Sequence, residues 1–320
     1  MTNGRYDIAM KKALLLALAF LTVAGVVLTG FYWFRNPERA VLDEAARRDA
    51  PGKFIRLSDG LTHYQIDGPD SGRVVLLAHG FSVPYYIWDS TAIHLSKAGY
   101  RVIRYDAYGR GWSDRPDIPY NDKLYERQIG ELLDSLHIDG KLDFGGVSYG
   151  GYATGVYTGR HPDRVRSLIL VDPVAGDTPA RMSPIDNPIY GSYFFQTMGV
   201  PGMAAGQASD FIDASRFPDW ADRYRVQMRY KGFRRALLAT LRNYVTTDWS
   251  NDYACVGRAT TPVLLVWGKS DRDVPFAVSN DVRAAIPGAR FLPVEDSAHV
   301  PFLEHPEIVN PALIAFLRCH

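Results

Sequence analysis

The sequence predicts an α/β fold, with a mostly parallel sheet covered by helices on both faces, an inserted helical cap and an apolar helix in front. Three observations carry that prediction. Short apolar or β-branched runs recur at residues 61–66, 74–78, 100–105, 142–147, 167–171, 262–267 and 290–294. Helical patterns lie between most of them: Ile129, Leu132, Leu133 and Leu136, for example, fall at the i, i+3, i+4, i+7 spacing that makes one helix face apolar. Strand and helix alternating in this way build βαβ units and a parallel sheet. The rhythm breaks over 174–256, which carries no clear strand pattern and is crowded with aromatic residues, so a helical cap inserted over the sheet is expected there.

Taken in chain order, the first element is the uncharged run 13–34. As a helix its twenty-two residues would span about 33 Å, enough for a bilayer core of about 30 Å. Lys11 and Lys12 precede it, and Phe31, Tyr32, Trp33 and Phe34 close it as an interfacial belt would. The expectation is a membrane anchor over 1–39 that contacts lipid through 13–34. A cleaved signal peptide is the competing reading, because a basic start and an apolar core fit both and Val23 and Gly25 form a weak small-residue cleavage site. Basic residues flank both ends of the run, so charge bias assigns no side of the membrane. A stalk or linker is expected over 40–53, then a catalytic core over 54–173 and 257–320 interrupted by the cap.

Composition narrows the function classes. Thirty-six Lys+Arg against 35 Asp+Glu leave a formal charge of +1 on 320 residues, so no basic field favours nucleic acid. Two cysteines, Cys255 and Cys319, are too few for a disulfide scaffold or a thiolate cluster, and no His/Cys/Asp grouping has ligand spacing. No cofactor or metal is expected.

The strongest chemical signal is Gly145-Gly146-Val147-Ser148-Tyr149-Gly150-Gly151, directly after an expected strand and before a helix-compatible run. In G-x-S-x-G the serine sits on a strained strand-to-helix turn, and glycines are needed where neighbouring Cβ atoms would collide with backbone. A serine hydroxyl needs a base, and His299, in the loop after the last expected strand, is the candidate. Asp271, after the run 262–267, is the expected orienting acid, with Asp172 and Asp273 as possible substitutes. An oxyanion hole is expected from the N–H of Tyr149 and of Phe81, the latter after the bend at Gly80. His79 is expected to be a structural hydrogen-bonder. Within the cap, Tyr190, Phe194 and Phe195 are the expected substrate-binding aromatics.

These motifs, His79-Gly80-Phe81, the loop from Asp106 to Ser113, the Gly146 to Gly150 turn and the late Asp271 and His299, resemble the α/β-hydrolase superfamily over about residues 54–317, in its serine esterase and lipase branch. The apolar N-terminal segment is similar in architecture to membrane-anchored monoacylglycerol lipase-like hydrolases. The resemblance implies a serine carboxylic ester hydrolase acting on a small ester or lipid. It also leaves open a C–C bond hydrolase or a cofactor-free perhydrolase, and a non-catalytic ligand-binding protein as the remaining class.

Overall fold

The computed structural model describes residues 3–175, 184–187, 189–244 and 248–320. Eight strands form one sheet: β1 (Lys53–Leu57), β2 (Gly60–Asp67), β3 (Val74–Ala78), β4 (Arg101–Tyr105), β5 (Leu142–Val147), β6 (Val165–Val171), β7 (Val263–Gly268) and β8 (Arg290–Val294), in the order β1-β2-β4-β3-β5-β6-β7-β8. β1 and β2 run antiparallel at one edge, and β4 through β8 are parallel. The seven expected strands are present to within two residues at each end. β1, which reads KFIRL, was not expected: its polar residues face outward at the sheet edge, so its pattern lacks the apolar run of a strand buried on both faces.

The central strands bury alternate residues into two cores. Leu76, Ala78, Phe144, Leu168 and Leu265 face one, together with Ile129, Leu132 and Leu133 of the helix Asp122–Ser135. Val75, Leu77, Ile169, Val171 and Val266 face the other, where they meet Leu95 of the helix Asp89–Lys97 and Leu313 of the helix Pro306–Cys319. The cap docks on this second core through Phe195, Phe211, Trp220, Tyr224 and Phe233.

Residues 176–183, 188 and 245–247 of the expected cap lie outside the described residues. Among those described, 174–256 holds helices and no strand. Its last helix, Trp249–Arg258, belongs to the sheet layer rather than to the cap: Tyr152 of the helix Tyr149–Arg160 packs on Trp249 with ring centroids 4.0 Å apart, and Tyr253 Oη donates to Val174 O at 2.8 Å. A parallel β6–β7 pair needs a crossover element on the sheet face, and this helix is it.

Segment 40–53, expected as a stalk, lies against the domain. Lys231 N donates to Ala40 O at 2.8 Å and Ala40 N to Arg229 O at 2.9 Å, while Arg47 is buried and pairs with Asp114. Pro51 O meets His63 Nε2. His63 Nδ1 lies 2.8 Å from Asp106 Oδ2, both side chains being fully buried. Asp106 also accepts from Tyr85 N and Trp112 N, each at 2.9 Å. Burial opposes its charge, but His63, His79 and the Trp112 N–H hold its carboxyl below the usual range. Removing one member of such a pair strands the other, so Asp106→Asn should lower stability by about 3–5 kcal/mol in equilibrium denaturation. A change below about 1 kcal/mol would show that the pair carries little.

Candidate active site

Ser148 sits between β5 and the helix Tyr149–Arg160, with φ 55° and ψ −125°. A side chain at such positive φ is strained, so its surroundings must hold it there. They do. Ser148 N donates to Val171 O at 2.9 Å, and Ser148 O accepts from Tyr152 N and Val174 N, each at 3.2 Å. A Cβ on Gly146 would lie 2.3 Å from Gly150 O, and one on Gly150 would lie 2.2 Å from His79 O. Both glycines of G-x-S-x-G are therefore required by close backbone approach.

Phe81, Ser148 and His299, from the C-terminal ends of β3, β5 and β8, open on one cavity of about 370 Å³. Among the described residues nothing accepts the Phe81 N–H. Tyr149 follows the serine and opens the helix. Asp271, fully buried at its side chain, accepts from Asp273 N (2.8 Å) and Val274 N (3.0 Å) at Oδ1, which leaves Oδ2 for His299 Nδ1 at 2.8 Å. The structure thus pairs the predicted acid with the predicted base and places the base and the serine on one cavity.

Three carboxyl groups, those of Asp271, Asp172 and Asp210, bear on this imidazole. Burial alone lowers the proton affinity of His299, but the charge and hydrogen bond of Asp271, aided by Asp172 and Asp210, reverse this and raise its pKa to about 10. Burial keeps Asp172 and Asp210 well above the usual carboxylate range, and Asp271 and Asp273 respectively push them further. Asp172, an alternative acid in the sequence, receives Gly268 N at 2.8 Å and stands behind Asp271 rather than against the imidazole. Asp273 lines the cavity.

His79 is set apart from this chemistry. Its Nδ1 lies 2.8 Å from Gly80 O and its Nε2 accepts from Ala107 N at 2.9 Å, and burial lowers its pKa to about 4. Both nitrogens are spent on backbone, which fixes the Gly80 bend. Arg110 is a positioning residue that the sequence did not single out. Buried at 1% exposure, it donates from Nε to Phe81 O at 2.8 Å, and from Nη1 and Nη2 to Tyr125 Oη and Thr240 Oγ1. It ties the Phe81 loop to core and cap together; the signal was its place in the loop from Asp106 to Ser113.

The expected substrate-binding aromatics are not brought to the serine. Tyr190 is 52% exposed, Phe194 is half-buried and Phe195 packs into the second core, its ring against Gly199; none lines the cavity. Aromatic crowding reported cap packing rather than a pocket. The apolar walls come instead from Phe81, Val83, Ile87, Val147 and Met203.

A parallel sheet with a serine on a strained turn and an Asp–His pair at the strand ends defines an α/β enzyme of the hydrolase class. The chain belongs to the alpha/beta hydrolase family, whose model matches residues 75–312. It is similar to a non-heme chloroperoxidase of Streptomyces lividans, 26% identical over 82% of this chain and 99% of that protein. It is also similar to a 2-hydroxy-6-oxononadienedioate/2-hydroxy-6-oxononatrienedioate hydrolase of Cupriavidus pinatubonensis (26% identical; 86% and 98%) and to Lipase 1 of Psychrobacter immobilis (25% identical; 83% and 84%).

The carboxylates around His299 make a testable pH signature. A general base works when neutral, so a pKa raised above the ordinary 6.5 moves the acid limb of kcat/KM to the alkaline side of free imidazole. Asp271→Asn removes the largest cause of the rise: kcat should fall about 10⁴-fold while the limb shifts to lower pH. An unshifted limb in this variant would show that Asp271 does not set the proton affinity of the base.

Proposed function

We propose that the protein is a serine hydrolase that cleaves carboxylic esters of hydrophobic, lipid-like substrates through an acyl-enzyme on Ser148, held at a membrane by its N-terminal helix. The observation that carries this reading is the shared cavity, onto which the strained serine, the Phe81 loop and His299 paired to Asp271 all open. In it His299 takes the Ser148 proton, the serine attacks the ester carbonyl, and the N–H groups of Phe81 and Tyr149 stabilise the oxyanion. The alcohol leaves with the proton from His299, and water activated by the same imidazole releases the acid.

The cavity walls favour a neutral ester over the C–C bond alternative. The dienedioate that names one relative carries two carboxylates, whereas among the described residues no Lys or Arg lines this cavity and Asp210 and Asp273 do. Anionic acyl groups would meet carboxyl groups with no countercharge.

The helix Asn3–Phe34 supports the anchor: an eighteen-residue window within its stretch Ile8–Phe34 reaches mean hydropathy 2.5, and its apolar side chains, Leu14 to Phe20 among them, face outward rather than into the domain. One such helix is also what a signal sequence presents, so processing is the decisive observation. Full-length protein is expected to stay with membranes through high-salt and carbonate washing, because the attachment is hydrophobic. A mature chain beginning near residue 26 would replace the anchor by a cleaved signal.

For the chemistry, a fluorophosphonate probe should label the wild type and fail on Ser148→Ala, with kcat lower by on the order of 10⁴- to 10⁶-fold. With a series of nitrophenyl esters, kcat/KM should rise about fourfold per acyl methylene until the cavity is full. A flat series, or faster turnover of a succinyl than of a butyryl ester, would overturn the lipid-like substrate and leave the serine hydrolase standing.

A further inference from the structure

The end of the N-terminal helix does not hang free of the domain. Tyr193 Oη of the cap donates to Leu28 O at 3.0 Å and its ring stacks on Tyr32 with centroids 5.9 Å apart. Arg35 Nε donates to Thr197 O at 2.9 Å, and Glu38 accepts from Gly232 N and Arg234 N of the cap. These contacts fix the height of the cap on a membrane. The uncharged run 13–34 spans about 33 Å between Lys11 and Lys12 at one end and the aromatic belt of Phe31, Tyr32, Trp33 and Phe34 at the other, enough for a bilayer core of about 30 Å. The junction therefore sits at the level of the lipid headgroups.

At that junction lies a cavity of about 580 Å³, separate from the catalytic one, between Phe34, Arg35, Asn36 and Pro37 of the chain leaving the helix and Pro201, Ala204, Val226 and Met228 of the cap. Three guanidinium groups, Arg35, Arg225 and Arg229, and one carboxylate, Asp222, line it. Arg225 pairs with Asp222. Arg35 spends its Nε on a carbonyl, and among the described residues no carboxylate pairs with Arg35 or Arg229. The site thus holds two uncompensated cations beside an apolar wall.

From this we infer that the cavity binds the headgroup of an anionic phospholipid, its phosphate between Arg35 and Arg229 and the first part of its acyl chains along Phe34, Pro201 and Met228. Guanidinium suits phosphate through paired, parallel N–H donors, and basic side chains at a membrane surface favour anionic lipid. The inference rests on the anchor reading above. It also places bound lipid behind the roof of the active site, because Pro201 and Ala204 line this cavity while Met203, Gly206 and Gln207 of the same run line the catalytic one.

The test uses the full chain in nanodiscs of phosphatidylcholine with a minor share of phosphatidylglycerol, followed by native mass spectrometry of the released protein. Retained phosphatidylglycerol should exceed its share in the nanodisc by about fivefold per arginine. The double variant Arg35→Gln/Arg229→Gln should carry lipid at the nanodisc ratio, whereas Arg56→Gln, which removes one exposed charge on β1, should keep the excess. Wild-type protein with phosphatidylglycerol at the bulk ratio, or a double variant with undiminished excess, overturns the site. Displacement of the lipid by soluble glycerol 3-phosphate would make it a site for a free phosphate ester, which also overturns the assignment. The same spectrum gives the chain mass: a full-length chain without lipid excess sinks the lipid site alone, and a chain lacking the helix sinks the anchor.

Discussion

Everything at the site depends on the strain held at Ser148. A non-glycine residue at φ 55° persists only where its neighbours leave it no alternative, and here they come from the ends of two flanking strands. Val171 at the end of β6 accepts its N–H, Gly150 packs on the backbone of Ala78 at the end of β3 and of His79 after it, and Gly80 lies so close that a Cβ built on it would come within 3.2 Å of Ser148 Cβ. The same approach that forbids side chains at Gly146 and Gly150 carries the Phe81 loop to the serine. Sheet packing and the placement of the Phe81 loop beside the serine are thus one constraint.

The second constraint is electrostatic. Asp271 has one oxygen saturated by two backbone N–H groups of its own turn, so the other is committed to His299. Burial raises the proton affinity of Asp172 and Asp210 well above the usual carboxylate range, and the neighbouring charges of Asp271 and Asp273 raise it further, so crowding these carboxyl groups together works against their all being charged. Asp210 also joins the cap to the base, since its carbonyl accepts the His299 N–H at 3.0 Å. A cap residue therefore contributes both to the field on the imidazole and to its placement.

What the sequence made legible follows from the range of the interactions. The strand runs, the G-x-S-x-G turn and the order Ser148, Asp271, His299 are local patterns, and each reads correctly as position because the parallel sheet delivers its loops to one end. Contacts across the fold left no such trace. The His63–Asp106 pair is 43 residues apart and Arg110 reaches Thr240 across 130, so neither spacing announces the partner. β1 hid because an edge strand needs no continuous apolar run. The aromatics of 190–195 misled for a general reason: aromatic side chains mark burial, and a cap that must cover one sheet face and grip a helix has two uses for them before any substrate.

The cap's position between helix and site also shapes what the proposed enzyme would meet. Glu38, Ala40 and Tyr193 fasten it on the side of the N-terminal helix, while Gln227 fastens it on the catalytic side, donating to Ser82 O at 2.8 Å and accepting from Gly111 N at 2.9 Å. Two fastened sides leave little freedom for the body to tumble about the helix, so on the proposed anchor the catalytic mouth would keep a fixed attitude to a lipid surface. A long-chain ester is scarce in water and concentrated in the bilayer, and a site held at that surface samples the second population, as tethering raises effective concentration without any new contact. On this reading the apolar walls of the cavity and the apolar helix serve one end: the cavity accepts what water will not dissolve, and the helix keeps it where such molecules are.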